Sequence, residues 1–211
     1  MTVKKRTKPE YWEDAKKFLR SKDSILKSII DNTDNFNHLQ KTCTPFQTVA
    51  NAIIGQQISI AAAESITKRI KKACGVINKD NILRSSSVVL KKTGLSSQKI
   101  KYLKGLANHV EKNKNFFKIL ETKSDLEVSG KLCELYGVGV WTAEMYLIFQ
   151  LLRPNVLPLG DIGLINSINK AYNIKNSSID KIKKISKCWE PYRTVAVWYM
   201  WRVIDSDIVE Y

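Results

Sequence analysis

In this 211-residue chain, the residues best suited to chemistry lie in two short stretches. The first is the loop "PNVLPLGDIGL", where Asp161 sits among Pro158, Gly160 and Gly163, just ahead of the helix-spaced run "IGLINSINKAY". A carboxylate at that place caps the helix that follows. The N–H groups and dipole of the same helix end hold it in its anionic form. A fixed anion there can stabilise a cation that develops in a transition state. Capping and chemistry are compatible roles, and the residues alone do not separate them. The second stretch is "LCELYGVGVWTA", in which Gly137, Val138 and Gly139 join two helical segments. Glycine lets a chain reverse within few residues and leaves no side chain over the backbone N–H groups. Such a nest binds a phosphate without reading any base. A tight connection between helices with no ligand is the plainer reading.

Charge favours the phosphate. Lys and Arg number 35 against 20 Asp and Glu, a net charge of +15 spread along the chain. That excess points to a polyanion, with nucleic acid the first candidate. No stretch is both apolar-faced and basic enough to lie on a membrane, and none reaches membrane-spanning length or reads as a signal core. Cys43, Cys74, Cys133 and Cys188 are scattered, and His38 and His109 complete no metal motif, which disfavours zinc and iron–sulfur centres. A reducing compartment is expected: the cytoplasm with its nucleoid in a prokaryote, the nucleus in a eukaryote.

The elements that must position these residues are helices. At 44% hydrophobic residues the chain can fill one domain or two small lobes. Strand-like alternation is scarce, and helical spacing of apolar residues recurs from end to end. "EYWEDAKKFLRSKDSILKSIID" predicts two amphipathic helices with Asp23 or Ser21 as the cap between them. "TPFQTVANAIIGQQISIAAAESITKRIKKAC" predicts two more, begun by Pro45 and interrupted at Gly55. The expected architecture is all-α, with two helical lobes around a cleft. The N- and C-terminal helices form one lobe, and residues from about 45 to 155 form the central one, with the hairpin at 132–145.

The segment 132–164 resembles the helix-hairpin-helix, Gly/Pro-loop-Asp superfamily of DNA base-excision glycosylases. The wording "GVGVWTAEM…RPNVLPLGDIGL" is similar to the alkylation-repair branch, the 3-methyladenine DNA glycosylases. The likeness extends to "AIIGQQISIAAAESI", "TGLSSQKIKYLKGLA" and "WEPYRTVAVWYMW", covering about residues 40 to 203. It implies that residues 1–211 are a single glycosylase domain whose cleft binds DNA.

The resemblance places the catalytic aspartate at Asp161, where it would stabilise an oxocarbenium-like sugar as the base leaves. Bifunctional relatives carry a lysine at the position of Trp141. Trp141 cannot form a Schiff base, which implies a monofunctional hydrolase. Its ring could stack on a purine made cationic by alkylation. Tyr192 and Trp189 fall in the family's pocket-side "W-x-P-x-R" stretch, and Met145 stands one turn after Trp141 where some relatives have tyrosine. Trp198, Tyr199 and Trp201 read as core. Gln57 falls on the side chain that wedges into the duplex when a nucleotide flips out. Gly137, Val138 and Gly139 would bind phosphate, and Lys or Arg near Ser97 to Lys104 would add to it. No cofactor is required. A sodium or potassium ion on backbone carbonyls of Leu135 and Val138 is the candidate ligand of the hairpin. The expected partner is double-stranded DNA containing damaged bases, met by a monomer that removes 3-methyladenine or 7-methylguanine. The alternatives are a non-catalytic helix-hairpin-helix protein and a glycosylase for oxidised or deaminated bases.

Overall fold

Residues 8–33 and 38–204 are described by the computed structural model. Among them are thirteen α-helices and no strand. The first two, α1 (Trp12–Lys22) and α2 (Ser24–Thr33), are divided at Asp23. Its Oδ1 accepts the N–H groups of Ile25 at 2.9 Å and Leu26 at 3.1 Å. Ser21, the other expected cap, instead donates to the Phe18 carbonyl inside α1. Pro45 opens α3 (Pro45–Gly55) behind a capping box of Thr44 and Gln47. The chain continues through α4 (Ile60–Cys74), α5 (Lys79–Arg84), α6 (Ser87–Lys92), α7 (Ser97–Lys112), α8 (Phe116–Glu121), α9 (Asp125–Cys133) and α10 (Val140–Phe149). It ends with α11 (Ile162–Ala171), α12 (Ile179–Ile185), a 3-10 turn at Ser186–Trp189, and α13 (Arg193–Trp201).

The helices sort into two compact units. The first joins residues 8–42 to 152–204, so both ends of the described chain build it. Its centre is α13, buried at every position from Thr194 to Trp201. Trp12, Ala15 and Leu19 line up at helical spacing on α1. The Trp12 ring meets Trp198 edge-on at 5.1 Å between centroids and lies tilted against Tyr199 at 5.9 Å. Each such pair adds about 0.5–1.5 kcal/mol beyond the area it buries. Asp23 serves this unit a second time: its Oδ2 accepts from the Tyr172 hydroxyl, and from Trp189 Nε1 at 2.9 Å. Burial, then the bond to Asp23, pushes the Tyr172 hydroxyl pKa far above the usual tyrosine value.

The second unit is Cys43–Leu151. Its core is the pairing of α3 with α10. Phe46, Val49, Ala50, Ile53 and Ile54 are buried on α3, and Met145, Tyr146, Ile148 and Phe149 on α10. An α10 that is apolar nearly all round belongs inside a unit, with α9 packed on it as well. α7 packs on both α3 and α5. No described helix is long and apolar enough to cross a membrane.

Candidate functional site

Within the second unit, α9 ends at Cys133 and the chain turns through 134–139 into α10. Gly137 has φ +86°, and a Cβ there would fall on the Tyr102 ring, so only glycine fits. Val138 N–H donates to the Leu135 carbonyl at 3.0 Å, closing the turn. Gly139 plays a different part: its backbone is extended, with φ −102° and ψ 179°, and a Cβ would meet nothing within 4 Å. It stands at the N-cap of α10 and supplies no side-chain acceptor. The first turn of α10 holds no acidic residue either. The start of α10 thus carries no side-chain cap and no acidic residue, and the positive end of its dipole faces no protein carboxylate from its own first turn. Beside the turn, the Gln98 amide bonds the hydroxyls of Tyr102 at 2.8 Å and Tyr136 at 2.9 Å, and the two rings pack edge-to-face. Trp141 is half-buried in the first turn of α10.

Gln57 lies in the same unit, between α3 and α4. It is exposed and holds φ +57°, a left-handed backbone that non-glycine residues seldom adopt. Its neighbour Gln56 turns inward, and its Nε2 donates to the Gly137 carbonyl at 2.9 Å and the Thr142 hydroxyl at 3.0 Å.

The first unit carries Asp161. It is the N-cap of α11, and its Oδ1 accepts from Leu164 N–H at 2.6 Å and from Trp201 Nε1 at 3.0 Å. The loop ahead of it is held by Thr194. The Thr194 hydroxyl donates to the Arg153 carbonyl at 2.6 Å and accepts Val156 N–H at 2.9 Å, and its own N–H donates to the Pro154 carbonyl at 3.0 Å. Asp161 N–H then bonds the Pro158 carbonyl at 3.0 Å. Gly163 leaves the space the carboxylate occupies, since a Cβ there would sit 3.1 Å from Oδ1.

Several expected pocket residues stand elsewhere. Trp189 and Met145 are both 0% exposed, so neither presents a face on which a base could stack, and the expectation that they line a pocket is corrected. Trp189 instead fills the core of the first unit, tied to Asp23, and Met145 packs inside the second. Tyr192 remains half-buried, edge-on to Phe18 at 5.5 Å and stacked with Tyr11 at 6.3 Å. Trp198 and Tyr199 are core as expected. Trp201, also read as core, is buried yet delivers its indole N–H to Asp161. Of the lysines near the start of α7, Lys99 donates to the carbonyls of Ile54 and Gln56, and Lys104 to that of Ser85. These two ammonium groups serve backbone rather than a surface phosphate. Thr194 was not singled out by sequence, Trp201 was read only as core and Lys99 only among the cations near Ser97 to Lys104; their types are ordinary in a helix, and only the fold gives them these partners.

Known proteins share the fold and much of the sequence. The chain is 32% identical to a DNA-3-methyladenine glycosidase of Bacillus halodurans, whose structure superposes with TM-score 0.71 over 89% of this chain and 88% of that one. The structure of the 3-methyladenine DNA glycosylase of Schizosaccharomyces pombe in complex with abasic DNA matches at TM-score 0.81, with 26% identity, over 90% of this chain and 95% of that one. A DNA-3-methyladenine glycosylase of Saccharomyces cerevisiae is 29% identical over 205 residues, 90% of this chain and 69% of that protein. The match spans 59% of the length of a Bacillus subtilis relative. Residues 50–191, which hold Gln57, the glycine hairpin and Asp161, match the HhH-GPD superfamily base excision DNA repair protein pattern, and the chain belongs to that family.

Proposed function

We propose that this chain is a monofunctional DNA glycosylase that hydrolyses the N-glycosidic bond of alkylated purines, 3-methyladenine and 7-methylguanine among them. The observation that carries the reading is the Asp161 carboxylate, fixed by a backbone N–H and an indole N–H and followed by a glycine that keeps its place clear. The names of the relatives, 3-methyladenine glycosylases in bacteria and yeasts, support the substrate class.

In this reading the uncapped start of α10 and the Gly137–Gly139 turn take a phosphate, with the +15 charge supplying attraction at longer range. Gln57 enters the gap left by the extruded nucleotide. Trp141, and the accessible part of Tyr192, offer aromatic surface to a cationic base. The C1′–N bond breaks with its electrons going to the base, and a water oxygen then bonds C1′ and releases a proton. Asp161 stabilises the positive sugar between these events. Alkylation at N3 or N7 has already made the base a good leaving group, so the demand for a strong general acid is small. Trp141 offers no amine, so the strand stays intact.

A sodium or potassium ion fits the hairpin chemically. The Leu135 and Val138 carbonyls are neutral oxygen donors, and the Leu135 oxygen, bonded once by Val138 N–H, keeps a second lone pair. Bound there, the ion would add positive charge beside the phosphate. Among the described residues no His, Cys, Asp and Glu cluster could hold a different metal.

The test is a panel of duplexes, each with one defined lesion, analysed for free base and for strand breaks with and without alkali. Release of 3-methyladenine and 7-methylguanine, with breaks only after alkali, is expected. Preferential release of oxidised or deaminated bases would move the substrate class. Duplex binding with no release from any lesion would leave a non-catalytic DNA-binding protein. Borohydride trapping of a covalent adduct would overturn the monofunctional reading.

A further inference from the structure

The backbone at Gln57 poses a mechanical problem. The residue is exposed, is not glycine, and still keeps φ +57°. A left-handed residue of this kind persists only where its surroundings over-determine it. The turn also follows directly on the end of α3, where the last carbonyls have lost their helical partners.

Two side chains resolve both difficulties. Lys99 Nζ donates to the Ile54 carbonyl at 2.7 Å and to the Gln56 carbonyl at 2.7 Å. It thus gathers an end carbonyl of α3 and the carbonyl of its C-cap residue with charge-assisted bonds. Lys99 is itself anchored, since its own N–H bonds the Ser96 cap of α7 at 3.2 Å. Burial lowers the pKa of this ammonium. An ammonium that exchanges hydration for two peptide oxygens is fixing backbone. Gln56 supplies the other half. Its carbonyl is held by Lys99, while its side-chain amide reaches the Gly137 carbonyl and the Thr142 hydroxyl. The residue immediately before Gln57 is therefore tied on one side to α7 and on the other to the glycine turn.

We propose that Lys99 and Gln56 are positioning residues that lock Gln57 in register with the glycine hairpin, so that the group gripping the phosphate and the group filling the duplex move as one rigid piece. The proposal rests on the glycosylase reading, in which a lesion is extruded from paired DNA. It explains how a grip on the backbone is converted into opening of the helix: a rigid wedge transmits the force of docking, and a loose one folds aside. Neither residue touches the reacting atoms, and the effect of each passes through Gln57.

The experiment compares Lys99→Met, Gln57→Ala and the double variant. Single-turnover base release is measured for one alkylated purine, paired normally or placed opposite a mismatch, alongside thermal melting and affinity for undamaged duplex. Lys99→Met should slow release from the paired lesion by about tenfold and from the mismatched one much less, because a mismatched base is already cheap to unstack. The double variant should be no slower than Gln57→Ala alone, and affinity for undamaged duplex should persist. Equal losses on both substrates, or losses that multiply in the double variant, would overturn the proposal. Should Lys99→Met melt, Gln56→Leu removes the bonds to Gly137 and Thr142 while leaving the lysine in place, and the same pattern is required of it. If the parent protein releases no base from any duplex, the glycosylase reading fails by itself. The locking of Gln57 is then read from 2-aminopurine fluorescence beside an abasic analogue. A rise with the parent that Lys99→Met abolishes supports the proposal, and a rise that survives in Lys99→Met, or no rise with the parent, overturns it.

Discussion

Replacing Asp161 by asparagine separates its helix cap from the proposed stabilisation of the sugar. The amide oxygen of asparagine can keep both recorded bonds of Oδ1, from Leu164 N–H at 2.6 Å and Trp201 Nε1 at 3.0 Å. Asparagine and aspartate cap helices about equally well. Thermal melting of Asp161→Asn should therefore stay within about 2 °C of the parent. The charge is what disappears. A full charge about 4 Å from a cationic sugar contributes about 4 kcal/mol at an effective dielectric constant of 20. Asp161 is half-buried, so part of that is screened, and a loss of about 2.7 kcal/mol, or about a hundredfold in rate, is the reasoned expectation. The assay is single-turnover release of free base with enzyme in excess, run for several lesions in parallel. The loss should shrink for 3-methyladenine and 7-methylguanine, whose cationic bases leave with less help, and grow for a neutral base. A well-folded Asp161→Asn protein that excises every lesion at the parent rate would refute the electrostatic argument and leave Asp161 as a helix cap.

Three further outcomes follow from the geometry. Gly139→Asp should fold normally, because the position is extended and open and aspartate is a good N-cap for α10. It should nevertheless weaken duplex binding by about tenfold at low salt, uniformly across sequences, because it sets an anion where the proposed reading places a phosphate; unchanged affinity through a salt series would remove the hairpin from the proposed interface. Gly137→Ala should behave oppositely and cost about 2 kcal/mol or more of stability, since its φ is +86° and the new Cβ meets the Tyr102 ring; an unaltered melting curve would contradict that packing. Asp23→Ala removes the N-cap of α2 and the acceptor of Tyr172 and Trp189 together, so a loss of about 2–4 kcal/mol in denaturant unfolding is expected, and a loss below 1 kcal/mol would show the network to be dispensable.

The helices were legible because amphipathic spacing is a local signal: Trp12, Ala15 and Leu19 announce their buried face within one segment. Pro45 was legible as a helix start for the same reason, while the choice of Asp23 over Ser21 as the cap came from the structure. The glycine turn and Asp161 stood out because few residue types satisfy a left-handed turn or a capped anion. Partnership across the chain is another matter. Trp198, Tyr199 and Trp201 share one apolar run, and nothing in that run says which indole N–H reaches a carboxylate 40 residues earlier. Trp189 and Met145 read as pocket residues because position in a motif carries no information about which way a side chain is sealed. Lys99 read as a surface charge because a lysine that collects carbonyls has the same composition as one that meets phosphate. Its inward direction comes from the packing of α7 on α3.

Because the first unit draws on segments that precede and follow the second in sequence, synthesis imposes an order on its contacts. The partners of the glycine turn, namely Gln56, Tyr102 and Thr142, have all been synthesised by the time Leu151 is added. Asp161 has to wait for Trp201, and Trp12 on α1 waits longer still for Trp198. Chains cut short between Asp161 and α13 can thus possess every partner of the glycine turn while lacking the helix that bonds the Asp161 carboxylate.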